Sequence, residues 1–400
     1  MVLISPIKPY IPIHPEEFCT NPYDVISKEE EEELKKNPNS LIHLILPEGI
    51  GEEVYKNAGK AYREFKKKKI IKKEEKPSIF VYRQESAQFS HQGLIMGISL
   101  QDYEDGNVVK HEHTREKPLK DRTNHIVASN VAAGLVWTVF QANNEINDSI
   151  EHIKQKKPKF DFKKYGYRHL LWQETDKTVL QKLKDLFESE KVYIADGHHR
   201  AASAAKYRKI KLKESVLEET NEAPWQYLLS YVASDNQIRI LAYNRVIKKL
   251  PLSETDLLKK LEEYFDIISL KKPLNPEQKN EITICLKGKW YKLIVKERKF
   301  ATKKDSLDVS IIQDRVLEPI LGITDPRADE NLFFIGGLQD PREMEKYVTK
   351  EGNDLFINLY PVDIKDIEYI AEEKGVLPPK STWFDPKVLS GLVLHDLKEI

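Results

Sequence analysis

Lys191-Val-Tyr-Ile-Ala-Asp196-Gly-His-His-Arg200-Ala-Ala-Ser-Ala-Ala-Lys-Tyr207 is a stretch whose two halves prefer different structures. Val192 to Ala195 is β-branched, aromatic and apolar, which predicts a buried strand. The alanine-rich half after Arg200 has no breaker and predicts a helix. Asp196 is placed to cap that helix, and Gly197 allows a sharp turn without a Cβ clash. The free N–H groups of the first helical turn then point outward beside His198, His199 and Arg200. Aligned amides, the positive end of the helix dipole and a forked cation together make an anion site. Asp196 is the one acid in this positive setting, able to hold a magnesium ion or accept a proton from an attacking hydroxyl. A single residue of this kind would read as a surface side chain. Five polar or flexible residues in a row at a strand-to-helix junction read as a site.

Outward from the junction, residues 167–172 read as a strand and 175–189 as an amphipathic helix, giving strand, helix, strand, helix. Residues 228–234 and 239–246 read as two further strands joined by a turn at Asp235-Asn236. On the N-terminal side, residues 1–26 are proline-rich and extended, and Ser27 with Glu30 forms a capping box. Residues 41–46 read as a strand, 52–69 as a charged helix, and 78–84 with 92–100 as an antiparallel pair. Residues 108–114 read as a strand with Lys110, Glu112 and Thr114 on one face and His111 and His113 on the other. Glu112, between an ammonium and a hydroxyl, is a second candidate base; solvated charge on an edge strand is the plainer reading. A helix with Pro118 in its first turn is expected to continue over 123–136, with a short strand over 137–140. From Pro251 the texture changes to a helix and two strands with few site-type residues. A helix over 307–321 follows, with Asp308 and Asp314 near its polar face, and then an aromatic, hydroxyl-rich segment over 378–392.

The 400 residues suffice for two or three lobes, and 64 basic side chains balance 64 acidic ones. Nothing global draws such a chain to nucleic acid or an anionic membrane, so anion binding must be local. Cys19 and Cys285 have no metal-type spacing, and the start of the chain does not read as a signal peptide; a reducing cytoplasm is the expected compartment. The most apolar run, 126–140, is too short and too polar to span a bilayer. Neither a phosphate-binding Gly-x-x-x-x-Gly-Lys-Ser/Thr loop nor a Gly-x-Gly-x-x-Gly turn occurs.

Four groups of residues then converge: Pro22-Tyr23-Asp24-Val25-Ile26; His111-Glu112-His113-Thr114 with Lys117 and Asp121-Arg122; Ala195 to Arg200; and Pro379-Lys380-Ser381-Thr382-Trp383-Phe384 through Pro386-Lys387 to Ser390-Gly391. With these the chain resembles the DUF1015 family over nearly its full length. Its Asp-Gly-His-His-Arg junction is also similar to the phosphate-binding element of the ParB/sulfiredoxin-like superfamily. The resemblance implies an α+β fold with a mixed-sheet ParB-like core over 143–250. An N-terminal α/β lobe over 1–142, a satellite αββ subdomain over 251–305 and a C-terminal α/β segment over 306–400 complete the expected division. It further implies a magnesium-dependent kinase that converts free L-serine to O-phospho-L-serine, with pyrophosphate as donor and orthophosphate released.

On that basis Gly197, His198, His199 and Arg200 are assigned to phosphate, with Arg122, Lys117 and Lys380 as supplementary cations. His111, Thr114, Ser381 and Thr382 are assigned to the serine substrate, and His198 joins the catalytic pair Asp196 and Glu112. Asp196 is the candidate for the serine hydroxyl or for Mg2+, and Glu112 the alternative base; the residues leave the two roles open. Many relatives place a tyrosine after the arginine, where this chain has Ala201-Ala202-Ser203; packing rather than chemistry is expected to differ. The alternatives are a nucleotide-dependent serine kinase, a phosphoserine phosphatase or a ParB-like nucleotide- or DNA-binding regulator. Zinc is disfavoured, because adjacent histidines face apart and no thiolate is near.

Overall fold

The computed structural model describes residues 1–112, 114–214, 223–297, 299–337, 340–373 and 375–398. The chain forms two compact units, residues 1–238 with 386–400, and residues 239–385. This division is drawn differently from the four pieces expected above. Strands on both sides of 142/143 share one sheet, and strands on both sides of 250/251 and 305/306 share another.

The first unit is built on nine strands: β1 (Ile4–Ser5), β2 (Ile79–Glu85), β3 (Ser90–Ser99), β4 (Val108–Val109), β5 (Val136–Phe140), β6 (Phe160–Lys164), β7 (Tyr167–Glu174), β8 (Val192–Asp196) and β9 (Tyr227–Ser234). Their order is β4-β8-β5-β9-β3-β2-β7-β6, with β1 against β3. Most pairs are antiparallel, while β4 with β8 and β5 with β9 are parallel, so the sheet is mixed and the class is α+β. Side chains alternate across the strands. Ile79, Val81, Leu94, Met96, Val136 and Val232 lie in an aliphatic core that also takes side chains from helices Asn144–Ile153 and Lys177–Phe187. The opposite face is aromatic and polar, with Tyr82, Gln84, His91, Trp137, His169 and Tyr231 all buried.

Several local expectations are corrected. Residues 41–46 contain the short helix Ile42–Ile45, because Leu41, Ile42, Leu44 and Ile45 are all buried and a period-two strand would turn alternate ones outward. The strand expected over 108–114 stops at Val109, where its parallel pairing with Val192 and Tyr193 ends. Lys110, His111, Glu112 and Thr114 therefore follow as irregular backbone, and His113 lies outside the described residues. The helix expected to open around Pro118 and run to 136 spans Glu116–Ser129, so it ends earlier, at Asn130 in a left-handed conformation. Residues 228–234 and 239–246 make no hairpin: Arg239–Leu241 pairs with Trp383–Asp385.

The second unit holds a six-stranded antiparallel sheet, ordered β11-β13-β12-β15-β10-β14, from β10 (Tyr243–Ile247), β11 (Phe265–Leu270), β12 (Glu281–Leu286), β13 (Lys289–Val295), β14 (Leu332–Gly336) and β15 (Leu355–Leu359). Val246, Cys285, Trp290 and Phe356 pack there with Met344 and Val348 of helix Pro341–Thr349. The helix expected over 307–321 is Asp308–Ile312, continued as a π-helix over Gln313–Leu317. Asp308 is buried rather than on a polar face; burial pushes its carboxyl up to about 7, opposed by the Asn280 amide that donates to it at 2.8 Å. Cys19 and Cys285 are both buried free thiols.

Candidate functional site

Strand β8 delivers the acid. Its pairing with β5 slips between Ile194, opposite Thr138, and Asp196, opposite Trp137. A bulge of this kind re-aims the residue that follows it. The helix then begins at His198 and runs to Glu214. Gly197 consequently takes the position just before the helix, and Asp196 is the last residue of the strand. Gly197 has φ +98°, a left-handed backbone, and a Cβ there would sit 3.0 Å from Arg200 Nε. Arg200 lies folded over this bare backbone. A Cβ at Gly134, on the other side, would come within 3.3 Å of Arg200 Cδ.

Arg200 is thereby held in place by the protein. One terminal nitrogen donates to the Leu135 carbonyl, and the other donates to Asp196 Oδ2 at 3.3 Å. Lys387 approaches the same oxygen, its Nζ 3.6 Å away, with only a tenth of its side chain exposed. Asp196 thus sits between the guanidinium of Arg200, one helical turn on, and an ammonium from far along the sequence. Sequence does not single out Lys387, because a lysine beside a proline carries no spacing that would point to an acid so far along the chain.

Glu112 and the histidines form a second group. His198 Nδ1 is 3.8 Å from Glu112 Oε2, and the His198 ring meets His111 edge-on with centroids 4.5 Å apart. Burial pushes the His111 imidazole down to about 4, against the pull of Asp196 and a hydrogen bond to the Ile194 backbone. Burial likewise holds His198 well below the usual histidine range, with His111 adding to the effect. Both rings are neutral near pH 7. Among the described residues His111 Nδ1 and His198 Nε2 have no hydrogen-bond partner. A neutral imidazole with a nitrogen to spare can give or accept a proton.

The remaining assigned residues have the following surroundings. His199 Nε2 accepts the Arg115 amide at 3.1 Å, so that nitrogen fixes the start of helix Glu116–Ser129 instead of facing a phosphate. Thr114 is half-buried beside it and Lys117 is exposed in the first turn of that helix. Arg122 is held by Asp121 at 2.6 Å and by the Ile45 carbonyl at 3.3 Å, and its guanidinium lies 4.4 Å from the Tyr23 ring centre. Burial, with Asp24, pushes the Tyr23 hydroxyl up, while Arg200 and Arg122 oppose the shift. A cavity of about 80 Å³ beside Arg200 and Arg122 is lined by Tyr23, Tyr207, Trp225 and aliphatic side chains. Lys380, Ser381 and Thr382 belong to the second unit. There Lys380 Nζ lies 3.5 Å from the Tyr243 hydroxyl, Ser381 donates to the Pro378 carbonyl at 2.6 Å, and Thr382 is half-buried.

Among the described residues no three His, Cys, Asp or Glu side chains gather into a metal cage. Magnesium needs only one or two carboxylates when phosphate oxygens and water complete its shell, so Asp196 fits as a single protein ligand. Among the described residues no helix is long and apolar enough to cross a membrane.

Similar folds include a free serine kinase in complex with AMP, at 12% identity and TM-score 0.36, covering 72% of this chain and 86% of that one. A conserved hypothetical protein from Pyrococcus furiosus is 13% identical at TM-score 0.37, covering 76% of this chain and 97% of that one. SbnI from Staphylococcus aureus, with a C-terminal truncation, is 11% identical at TM-score 0.37, covering 74% and 85%. Likenesses at this level lend the chain no activity. No curated protein matches it in sequence. The family profile described as a protein of unknown function, DUF1015, matches residues 7–310 and takes in the strand-to-helix junction, Glu112 and Arg122, and on that match this chain belongs to the DUF1015 family.

Proposed function

We propose that the protein is a phosphotransferase that phosphorylates free L-serine, with pyrophosphate as donor. The observation that carries this reading is the grouping at one helix start: Asp196 between Arg200 and Lys387, with neutral His198 next to it and Glu112 beyond. Phosphoryl transfer asks a protein for positioned oxygens, neutralised charge and a hydroxyl relieved of its proton. Gly197 and the first amides of the helix, Arg200 and Lys387 supply the first two. Both terminal nitrogens of Arg200 already donate to Leu135 and Asp196, and the N–H groups they have left over are the ones that would meet a phosphate oxygen. Asp196, or Glu112 with His198 behind it, supplies the third.

In the proposed step the serine Oγ forms a bond to one phosphorus of pyrophosphate as the bridging P–O bond breaks. The hydroxyl proton passes to the carboxylate and the leaving oxygen departs as orthophosphate, so the products are O-phospho-L-serine and orthophosphate. When bound at Asp196, Mg2+ would neutralise charge on the phosphate oxygens. Pyrophosphate as donor follows from the family resemblance, and the lack of both common nucleotide-binding glycine motifs in the sequence is in keeping with it.

The test incubates purified protein with L-serine and magnesium, and separately with pyrophosphate, ATP, ADP or no donor, followed by phosphorus NMR. Phosphoserine and orthophosphate should appear in equal amounts with pyrophosphate. Phosphoserine formed only with a nucleotide would replace the donor, and none with any donor would end the kinase reading. Orthophosphate released from phosphoserine without an acceptor would instead indicate a phosphatase.

A further inference from the structure

Behind the site, the polar face of the first sheet carries two buried hydrogen-bond relays that both end on the backbone of residues 387–389. In one, the Tyr231 hydroxyl donates to His91 Nδ1 at 2.9 Å and His91 Nε2 donates to Gln84 Oε1 at 2.8 Å. The Gln84 amide nitrogen donates to the Lys387 carbonyl at 3.2 Å. In the other, His169 Nε2 donates to the Lys164 carbonyl at 3.0 Å and the Tyr82 hydroxyl donates to His169 Nδ1 at 2.7 Å. The Leu389 backbone N–H faces the Tyr82 hydroxyl and opposes the upward push of burial on it. The two lines touch where Tyr82 meets Tyr231 edge-on, ring centres 5.8 Å apart.

From this geometry we infer that Gln84, His91 and Tyr231, with Tyr82 and His169 beside them, are positioning residues that clamp residues 387–389 and so hold Lys387 against Asp196. The inference rests on the reading of Asp196 and Lys387 as the centre of the proposed site.

The proton directions are forced. A carbonyl only accepts, so His169 must carry its proton on Nε2 and Tyr82 must donate to Nδ1. Gln84 must turn its nitrogen toward the Lys387 carbonyl, which leaves its oxygen for His91 Nε2 and makes Tyr231 the donor to Nδ1. Burial pushes His169 down to about 4, so its ring stays neutral and in one tautomer. Gln84, His91 and Tyr82 are essentially inaccessible to water. Polar groups this deep are costly unless every donor finds an acceptor, and here the final acceptor and final donor are the strap itself. Lys387 has a four-carbon stem with many rotamers; fixing its backbone on both sides narrows where Nζ can go.

The test reads the lysine directly. The intact protein is treated with an amine-acylating reagent and the rate at Lys387 is followed by site-resolved mass spectrometry, with other lysines as internal controls. In Gln84→Leu the Lys387 rate should rise about fivefold, the scale on which one buried hydrogen bond counts. In Gln84→Glu the rise should be present at high pH. It should vanish as the pH falls and the introduced carboxyl, now protonated, can donate to the Lys387 carbonyl again. The titratable groups facing that position are His91, His169, Tyr82, Tyr231 and Lys387, so each rate is compared with wild type at the same pH.

Tyr231→Phe, which keeps the ring, should give a smaller rise and decides the matter if either Gln84 variant fails to fold. In serine phosphorylation, Gln84→Leu should lower kcat about tenfold with the serine KM nearly unchanged. Wild-type labelling at Lys387 in the folded variants would overturn the clamp. Wild-type protein that makes no phosphoserine would overturn the proposed function, and the labelling rates would still decide the clamp.

Discussion

Two pairs of buried histidines in the first unit differ in one respect. His91 and His169, on the polar face of the sheet, each use both ring nitrogens: His91 with Tyr231 and Gln84, His169 with Tyr82 and the Lys164 carbonyl. His111 and His198, at the end of β8, each keep one nitrogen without a partner among the described residues. Burial alone does not separate structure from chemistry, since all four rings are nearly inaccessible. A satisfied imidazole is fixed in one tautomer and supports its neighbours. An imidazole with a spare nitrogen carries an unmet cost that a substrate or a transferred proton can relieve.

The largest effect should come from the acid between the two cations. Asp196→Asn is expected to lower turnover at least about a hundredfold, the scale for removing a positioned base, while leaving the circular dichroism unchanged. Near-normal turnover would remove Asp196 from the mechanism. The histidine comparison itself is tested by crossing two substitutions. His198→Asn should lower turnover by about thirtyfold and cost little stability, whereas His169→Asn should destabilise by about 2 kcal/mol and change turnover less than tenfold. Chemical denaturation and initial rates on both proteins give the answer, and equal rankings would erase the distinction.

A smaller effect is expected at Arg200. Arg200→Lys should raise the pyrophosphate KM about tenfold, through loss of the fork, and leave the serine KM within about twofold. Equal changes in both would argue that Arg200 serves only to orient Asp196.

The mildest prediction concerns pH. His111, His125 and His169 are each pushed from 6.5 to about 4, chiefly by burial. Below 6.5 the unfolded chain takes up protons that the folded protein refuses, so stability should fall as the pH drops toward 4 and be flat in these groups above 6.5. Urea midpoints across that range measure it; His169→Asn should flatten the slope, and an unchanged slope would contradict the assignment.

The ends of the relays show where sequence reasoning stopped. The antiparallel pair read at 78–84 and 92–100 is present as β2 and β3, and its register sets Gln84 opposite His91. Alternation alone could place both side chains on one face. Nothing local could show that the covering layer would be residues 387–389. The same limit applies at 108–114, where an apparent strand of seven residues pairs over only two, with Val192 and Tyr193.

By itself the sequence determined the junction: β-branched residues, an acid, a glycine and an alanine-rich run can hardly do other than turn from strand to helix there. It also determined most of the helices and strands around it, since apolar period and breaker residues are local properties, while the α+β class followed from the family resemblance. Only the tertiary structure decided that Arg200 folds back on Asp196, that His199 faces the Arg115 amide, and that Lys387 joins the acid from the far end of the chain. Those contacts depend on which strands become neighbours and on where a bulge turns a side chain, and both are settled by burying the whole sheet at once rather than by any stretch of residues.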